Sequence, residues 1–363
     1  MKIIELLIEP SYPIKASVEN TIENRMKEIK NLNSNIIILF LKKENLEIKE
    51  SIDKIFNNFS NRIIRSLLVL LCGFIYLNKI KVNFRDADII IANGYYSAVF
   101  IFPFLCFNRK KTIYCPHTQV APNFFNAILL DFFDAIIFLS KYNREQLILK
   151  NKKLASKSYT IYNFIHFPKR NFSLKKRKTK FFNCLFVARA EEVKRPFLFL
   201  KGVYKAYKNN KKISATMIIS DGPLKQEIIK QTKNIKNNTN FQINLYLNLE
   251  HSKVLNYYNI CDCFVFSSDT NEGFGNVLLE AMYYGLPIIC TNHTKFREFL
   301  GKAALYFNDE NDLAKKIFYL SKNKKLYKKY SQASLERYKK LYEPSIGAKK
   351  WINLFKRLYS NNR

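Results

Sequence analysis

The sequence predicts an α/β protein built as two tandem domains, each a parallel sheet covered by helices. Three observations carry this expectation. Short β-branched and aromatic runs alternate with helical patterns through the first half of the 363 residues. A basic, aperiodic stretch with a proline, HFPKRNFSLKKRKTK at 166–180, breaks the alternation. The alternation then restarts and continues almost to the end. This is the pattern of Rossmann-like parallel sheets, whose ligands sit beyond the carboxyl ends of the strands. Two such sheets are expected to face each other across a cleft.

In the first half, residues 3–8, 36–41, 89–92, 112–115, 135–139 and 159–162 read as buried strands. Each is short, rich in Ile, Phe or Tyr, and bounded by polar or turn residues. Residues 17–31 form a polar amphipathic helix between the first two. The most hydrophobic stretch, LLVLLCGFIYL at 67–77, is 11 residues long, against about 20 needed to span a bilayer. Arg62, Arg65, Lys79 and Lys81 flank it. A buried helix is expected here, with an interfacial helix as the alternative. The N-terminus, MKIIELLIEP, is too short and too interrupted by Glu5 and Glu9 to be a signal peptide.

In the second half, strands are expected at 182–188, 215–220, 241–247, 263–267, 287–290 and 304–307. Helices are expected at 196–207, from about 224, and at 251–259, 275–284, 310–320, 325–341 and 345–359. Pro196 suits a first helical turn. Trp351, Leu354 and Phe355 recur at helical spacing and read as a packing stripe. The expected division is 1–165, a linker at 166–180, 181–342, and a terminal helix at 343–363.

The formal net charge is +32. Residues 1–165 carry a net +9 and residues 166–363 a net +23. Such an excess attracts nucleic acid, anionic lipid or phosphorylated substrates. A bias toward Lys, Asn, Ile, Phe and Tyr, with the lysines solvated, accounts for it equally well. No zinc finger or RNP-type aromatic motif is present and the charge is scattered, which disfavours a nucleic-acid partner. Cys is odd in number, at seven. Cys261-x-Cys263 has no second pair to make a zinc site, so core thiols in a reducing cytosol are expected.

The chemistry concentrates in SSDTNEGFGNVLLEAMYYGLPII at 267–289. A strand ends, a polar loop leads into Glu272-Gly273-Phe274-Gly275, and an apolar helix follows from Asn276. Glycines beside Phe274 allow close backbone approach to a ligand. A helix start favours an anion. Glu280 is a charge within the run VLLEAM, costly there unless partnered. Sugar hydroxyls would partner it; the competing reading places Glu280 on an exposed stripe beside Asn276 and Tyr284.

This stretch resembles the Glu-x7-Glu motif of retaining GT-B glycosyltransferases of family 4, the group 1 family. Glu272 to Pro287 follows the form E-G-F-G-x-x-x-x-E-A-x-x-x-G-x-P throughout. Leu185-Phe186-Val187-Ala188-Arg189, followed by Lys194, resembles the segment V-G-R-L-x-x-x-K, and Asp221-Gly222-Pro223 resembles G-D-G-P. The resemblance runs from about 182 to 320 and, more faintly, over the N-terminal half. There, Pro116-His117-Thr118 stands where the family often has a His near the transferred sugar, and Asn163 resembles the hinge segment.

The resemblance implies a GT-B fold whose terminal helix crosses back to the first domain. It implies an acceptor domain at 1–165 and a donor domain at 181–342. It further implies a metal-independent hexosyltransferase, without a cofactor, using a UDP- or GDP-sugar. In that role Arg189 and Lys194 hold the donor diphosphate. Glu272 grips the sugar with the backbone of Gly273, Phe274, Gly275 and Asn276. Glu280 takes the ribose and Asp221 shapes a turn near the nucleotide. His117, Glu272, Lys194 and Arg189 are the implied catalytic set. The implied acceptor is a glycan or lipid-linked oligosaccharide of bacterial surface polysaccharide or lipopolysaccharide synthesis. The implied location is cytoplasmic, peripheral on the inner membrane face.

Five departures stand out. The loop at 9–17 has no glycine, with Lys15 the nearest cation. Ala188 and Ser220 replace glycines, Arg195 replaces the glycine after the lysine, and Asn292-His293-Thr294 replaces a glycine pair. A GT-B sugar-nucleotide epimerase is the alternative enzyme reading, and a basic nucleic-acid-binding protein the alternative of another class.

Overall fold

The computed structural model describes residues 1–8, 14–42, 49–58, 60–76, 84, 86–107, 110–117, 124–168, 180–269 and 272–360. The chain divides into two units: Met1–Ile165 together with Pro344–Arg363, and His166–Glu343. Most of the basic stretch at 166–180, and the loop containing Tyr12, lie outside the described residues.

The N-terminal unit is a six-stranded sheet ordered β2-β1-β3-β4-β5-β6, with strands β1 Lys2–Leu7, β2 Ile37–Lys42, β3 Ile89–Asn93, β4 Lys111–Cys115, β5 Ala135–Phe138 and β6 Ser158–Thr160. Every neighbour pair is parallel. Parallel strands need helical crossovers, which cover both faces, so the strands are apolar on both sides rather than alternating. Ile4, Leu6 and Ile90 pack on one face with Phe100 and Phe104. Ile3, Ile89 and Ile91 pack on the other with Trp351 and Phe355. The C-terminal helix Pro344–Ser360 is therefore part of this unit's core, lying against the helix Ile14–Leu32.

The C-terminal unit is a second parallel sheet, ordered β12-β11-β10-β7-β8-β9. Its strands are β7 Phe182–Arg189, β8 Ile213–Ser220, β9 Ile243–Leu247, β10 Cys263–Phe266, β11 Ile288–Thr291 and β12 Ala304–Phe307. The helices Pro196–Asn209, Lys225–Asn238, His251–Ile260, Asn276–Tyr283, Thr294–Leu300, Glu310–Lys322 and Lys324–Leu341 surround it. Both units are α/β, as the alternation predicts.

One expectation fails. The stretch at 67–77 is not a buried helix. The helix Arg62–Ile75 buries Ser66, Val69, Cys72 and Gly73 but leaves Leu67, Leu71, Phe74 and Ile75 exposed. The run is apolar on all sides, and hydrophobicity alone does not say which side meets the core. Six cysteines are buried and Cys106 is exposed.

Candidate functional site

The residues singled out above collect at the carboxyl ends of the strands, around the point in each sheet where strand order reverses. In the C-terminal sheet β7 is flanked by β8 and β10. Connections leave β7 and β10 in opposite directions, so their loops diverge and open a crevice. Arg189 ends β7 and the motif loop follows β10.

The loop after β7 is held by its own backbone. The Lys194 amide donates to Glu191 O at 3.1 Å and the Arg195 amide to Glu192 O at 2.9 Å. Arg195 has φ 50° and ψ 53°, the left-handed conformation. A glycine adopts it freely, whereas a side chain there costs about 1–2 kcal/mol. The turn therefore survives the replacement of glycine, under strain. The Ser267 hydroxyl, just past β10, donates to the carbonyls of Lys194 at 2.8 Å and Arg195 at 3.2 Å. This pins one loop to the other.

That arrangement brings the Lys194 ammonium onto the Glu272 carboxylate, with the two side chains 19% and 10% exposed. A second lysine meets the same residue. Lys295, 1% exposed, donates its ammonium to the Glu272 backbone carbonyl. Burial pushes the Lys295 ammonium below the ordinary lysine range, and the Glu272 charge opposes that. Lys295 was not singled out in the sequence, although it directly follows the altered Asn292-His293-Thr294. His293 Nδ1 now caps that helix by accepting from the Lys295 amide at 3.2 Å.

Gly275, and not Gly273, carries positive φ, at 75°, at the start of the helix Asn276–Tyr283. A Cβ there would lie 3.1 Å from the Phe266 ring. The Phe274 ring is buried against Phe299 at 4.6 Å and Tyr342 at 5.8 Å, so it is the backbone of Phe274 that a ligand could meet.

Glu280 is 5% exposed, which overturns the exposed-stripe reading. Its Oε1 meets His251 Nε2 at 2.9 Å, and Oε2 is fully buried. The buried Tyr258 phenol faces the same carboxylate. Burial, then the Glu280 charge, hold it well above the ordinary tyrosine range. The hydrogen bond to Glu280 raises His251, another residue the sequence reading passed over. Arg189 pairs with Glu191 through one terminal nitrogen, and its Nε is buried without a hydrogen bond. Asp221 closes its turn, accepting from Lys225 at 2.6 Å and Asn248 at 3.0 Å, which hold its carboxyl below the usual range.

In the N-terminal sheet the corresponding reversal lies at β1 and β3. His117, with φ 56°, follows β4, and its Nε2 lies 3.1 Å from Asn93 Oδ1. An amide oxygen only accepts, so the ring nitrogen is the donor and Nδ1 keeps its lone pair. Asn93 belongs to a buried network that the sequence did not reveal. Arg25 pairs with Glu5 through two nitrogens, donates to Asn93 Oδ1 at 3.1 Å, and lies 4.3 Å over the Trp351 ring. Burial, then the Arg25 charge, push His117 down to about 3. It is thus neutral at pH 7, an acceptor of hydrogen bonds rather than a proton store. Burial also holds the neighbouring Cys115 thiol at about 12. Among the described residues no group of three or more His, Cys, Asp or Glu could hold a metal ion.

Residues 168–337 match the family model described as glycosyl transferases group 1. The matched residues make up most of the C-terminal unit. No curated protein matches the chain at a significant level. Among solved structures, a glycosyltransferase from Rickettsia africae ESF-5 is 17% identical with a TM-score of 0.72, covering 99% of each chain. Anabaena Alr3699/HepE, in complex with UDP and glucose, is 14% identical with a TM-score of 0.71, covering 98% of this chain and 100% of its own. A point mutant of S. aureus TarM, in complex with fondaparinux, alpha-GlcNAc-glycerol and UDP, is 18% identical with a TM-score of 0.62. That match covers 80% of this chain, which spans 59% of the TarM chain. At these identities the likeness establishes the fold, that of GT-B glycosyltransferases.

Proposed function

We propose that this protein is a retaining, metal-independent glycosyltransferase of family 4 that moves a hexosyl group from a UDP- or GDP-sugar to a glycan or lipid-linked acceptor. A bacterial surface polysaccharide or lipopolysaccharide is the proposed product. The observation that carries the reading is Glu280. Its carboxylate, 5% exposed and paired with His251, lies on a helix that follows a glycine-opened loop, and a ribose hydroxyl donating to it would add a charge-assisted hydrogen bond. A hydrogen bond to a charged group is worth about 1.5–3 kcal/mol.

The other roles follow from donor and acceptor inventories. Lys194 spends one of its three hydrogens on Glu272, which leaves two for a phosphate oxygen. Arg189 keeps donors beyond its bond to Glu191, and its planar fork suits a diphosphate. The two cations stabilise charge as the donor's anomeric C–O bond breaks. Glu272 and the backbone at 273–276 hold the sugar hydroxyls. The departing phosphate oxygen takes the acceptor hydroxyl's proton while the new C–O bond forms on the same face. The N-terminal unit is assigned to the acceptor, with His117 accepting a hydroxyl hydrogen at Nδ1.

The test begins with thermal shift across UDP- and GDP-sugars, because a ligand of the folded state raises Tm by mass action. With the donor found, Glu272→Ala and Lys194→Ala should each lower transfer by at least about tenfold, or about 1.4 kcal/mol. Near-wild-type transfer in both variants would sink the assignment. Donor turnover without any acceptor would favour the epimerase reading instead.

A further inference from the structure

We infer that the helix Arg62–Ile75 docks the protein on an anionic lipid bilayer, lying in the plane of the headgroups. Its sequence, RIIRSLLVLLCGFI, holds no acidic residue and is apolar nearly all round. One face is in the core: Ser66, Val69, Cys72 and Gly73 are buried, the Ser66 hydroxyl meets the Tyr95 phenol at 3.1 Å, and Gly73 packs on the Phe100 carbonyl. The other face is in water. Ile63 is 71% exposed, Leu67 55%, Leu71 54%, Phe74 49% and Ile75 74%. At about 100° per residue, these five and Ile64 fall within an arc of about 120°, opposite the buried four. A helix that is apolar all round is ordinarily enclosed by protein or by lipid.

The neighbouring helix Tyr95–Phe107 also ends on an exposed aromatic. Ser66 lies at Tyr95 and Gly73 at Phe100, so this helix and the helix Tyr95–Phe107 run in the same direction. Phe107, 69% exposed, therefore falls toward the Ile75 end. A row of exposed aliphatic and aromatic side chains along one helix face marks an interaction surface.

Charge and shape select the occupant. Arg62 is exposed at the first turn, its guanidinium 4.5 Å over the Tyr95 ring. The whole chain carries +32. A second copy would bring the same charge and be repelled, whereas anionic headgroups are attracted to basic surfaces. The face is a convex helical ridge, which fluid acyl chains can fit around. At about 1.5 Å per residue its 14 residues span about 21 Å, too short to cross a bilayer. No described helix is long and apolar enough to cross a membrane. Lying on the surface is the arrangement left for such a helix. The inference does not depend on the transfer reaction.

The test is co-sedimentation of the full chain with phosphatidylglycerol–phosphatidylethanolamine vesicles and with phosphatidylcholine vesicles, at about 0.15 M salt, where charges are screened beyond about 8 Å. Wild type should partition at least about tenfold better onto the anionic vesicles. Leu67→Glu with Leu71→Glu should lower that partition by at least about tenfold, with Tm unchanged because both side chains face water. Three results would overturn the inference: equal partition of the double variant and wild type, which would assign binding to scattered lysines; wild type remaining in the supernatant; or a wild-type dimer by light scattering that the double variant dissolves, which would make a second copy the occupant.

Discussion

Lys295, on the helix Thr294–Leu300, donates its ammonium to the backbone carbonyl of Glu272, the residue whose carboxylate Lys194 holds. One residue of the motif is thus gripped by two lysines, at its side chain and at its main chain. The second grip comes from the residue directly after Asn292-His293-Thr294.

Lys295→Met should keep the packing and remove the donor. A buried carbonyl left unpaired costs about 1–3 kcal/mol, and the Glu272 loop should loosen with it. The expected outcome is a lower urea midpoint and weaker nucleotide-sugar binding, measured by titration. Lys295→Arg should retain part of both. Unchanged binding in the Met variant would mean that Lys295 only fills space.

Arg195→Gly should stabilise the protein. The residue sits at φ 50° with a side chain attached, and relief of left-handed strain is worth about 1 kcal/mol. For a domain of this size that is about 2–4 °C in Tm. A Tm that falls would show that the arginine side chain makes contacts outweighing the strain.

Stability of the N-terminal unit should fall in mild acid through His117. Its folded value is about 3, against an ordinary 6.5. Between the two, the unfolded chain holds a proton that the folded one does not, so stability rises with pH across that window. The loss should begin as pH drops below about 6.5 and grow toward 3. His117→Asn should flatten the slope of Tm against pH between about 6.5 and 5. His251 acts in the opposite sense. Its pKa is raised by Glu280, so its contribution is present below 6.5 and lost as pH climbs through its folded value.

Gly347→Ala should destabilise the protein. A Cβ at Gly347 would lie 2.1 Å from Phe164 Cδ1. Overpacking of that kind costs about 1–3 kcal/mol, whereas alanine for glycine inside a helix normally stabilises by about 0.5–1 kcal/mol. The sign of the change in urea midpoint therefore reports whether the helix Pro344–Ser360 is docked on Phe164. A stabilised variant would show that it is not.

The six strands expected in each half appear within a few residues of their positions, because a strand is recorded in five or six consecutive residues. The motif from Glu272 to Pro287 was legible for the same reason. Misreadings arose where one local pattern fits two environments. The run at 67–77 is apolar on both sides, so its exposed face could not be told from its buried one. Glu280 reads equally as an exposed helix carboxylate and as a buried one until the neighbouring strands are in place.

By itself, then, the sequence determined the order of the strands along the chain, the α/β class and the motif loop. These are local properties, set by side-chain periodicity and by glycine and proline placement. Only the tertiary structure decided the partners. Asn93 meets Glu5 across 88 residues, Glu280 meets His251 across 29, and Lys295 meets Glu272 across 23. Such pairs follow from strand order and helix packing, and a buried charge must find whichever donor the fold brings beside it. Strand order also placed Arg189 and the Glu272 loop at one sheet reversal and the Asn93–His117 pair around the other. Within each unit, that placement made scattered polar residues into neighbours.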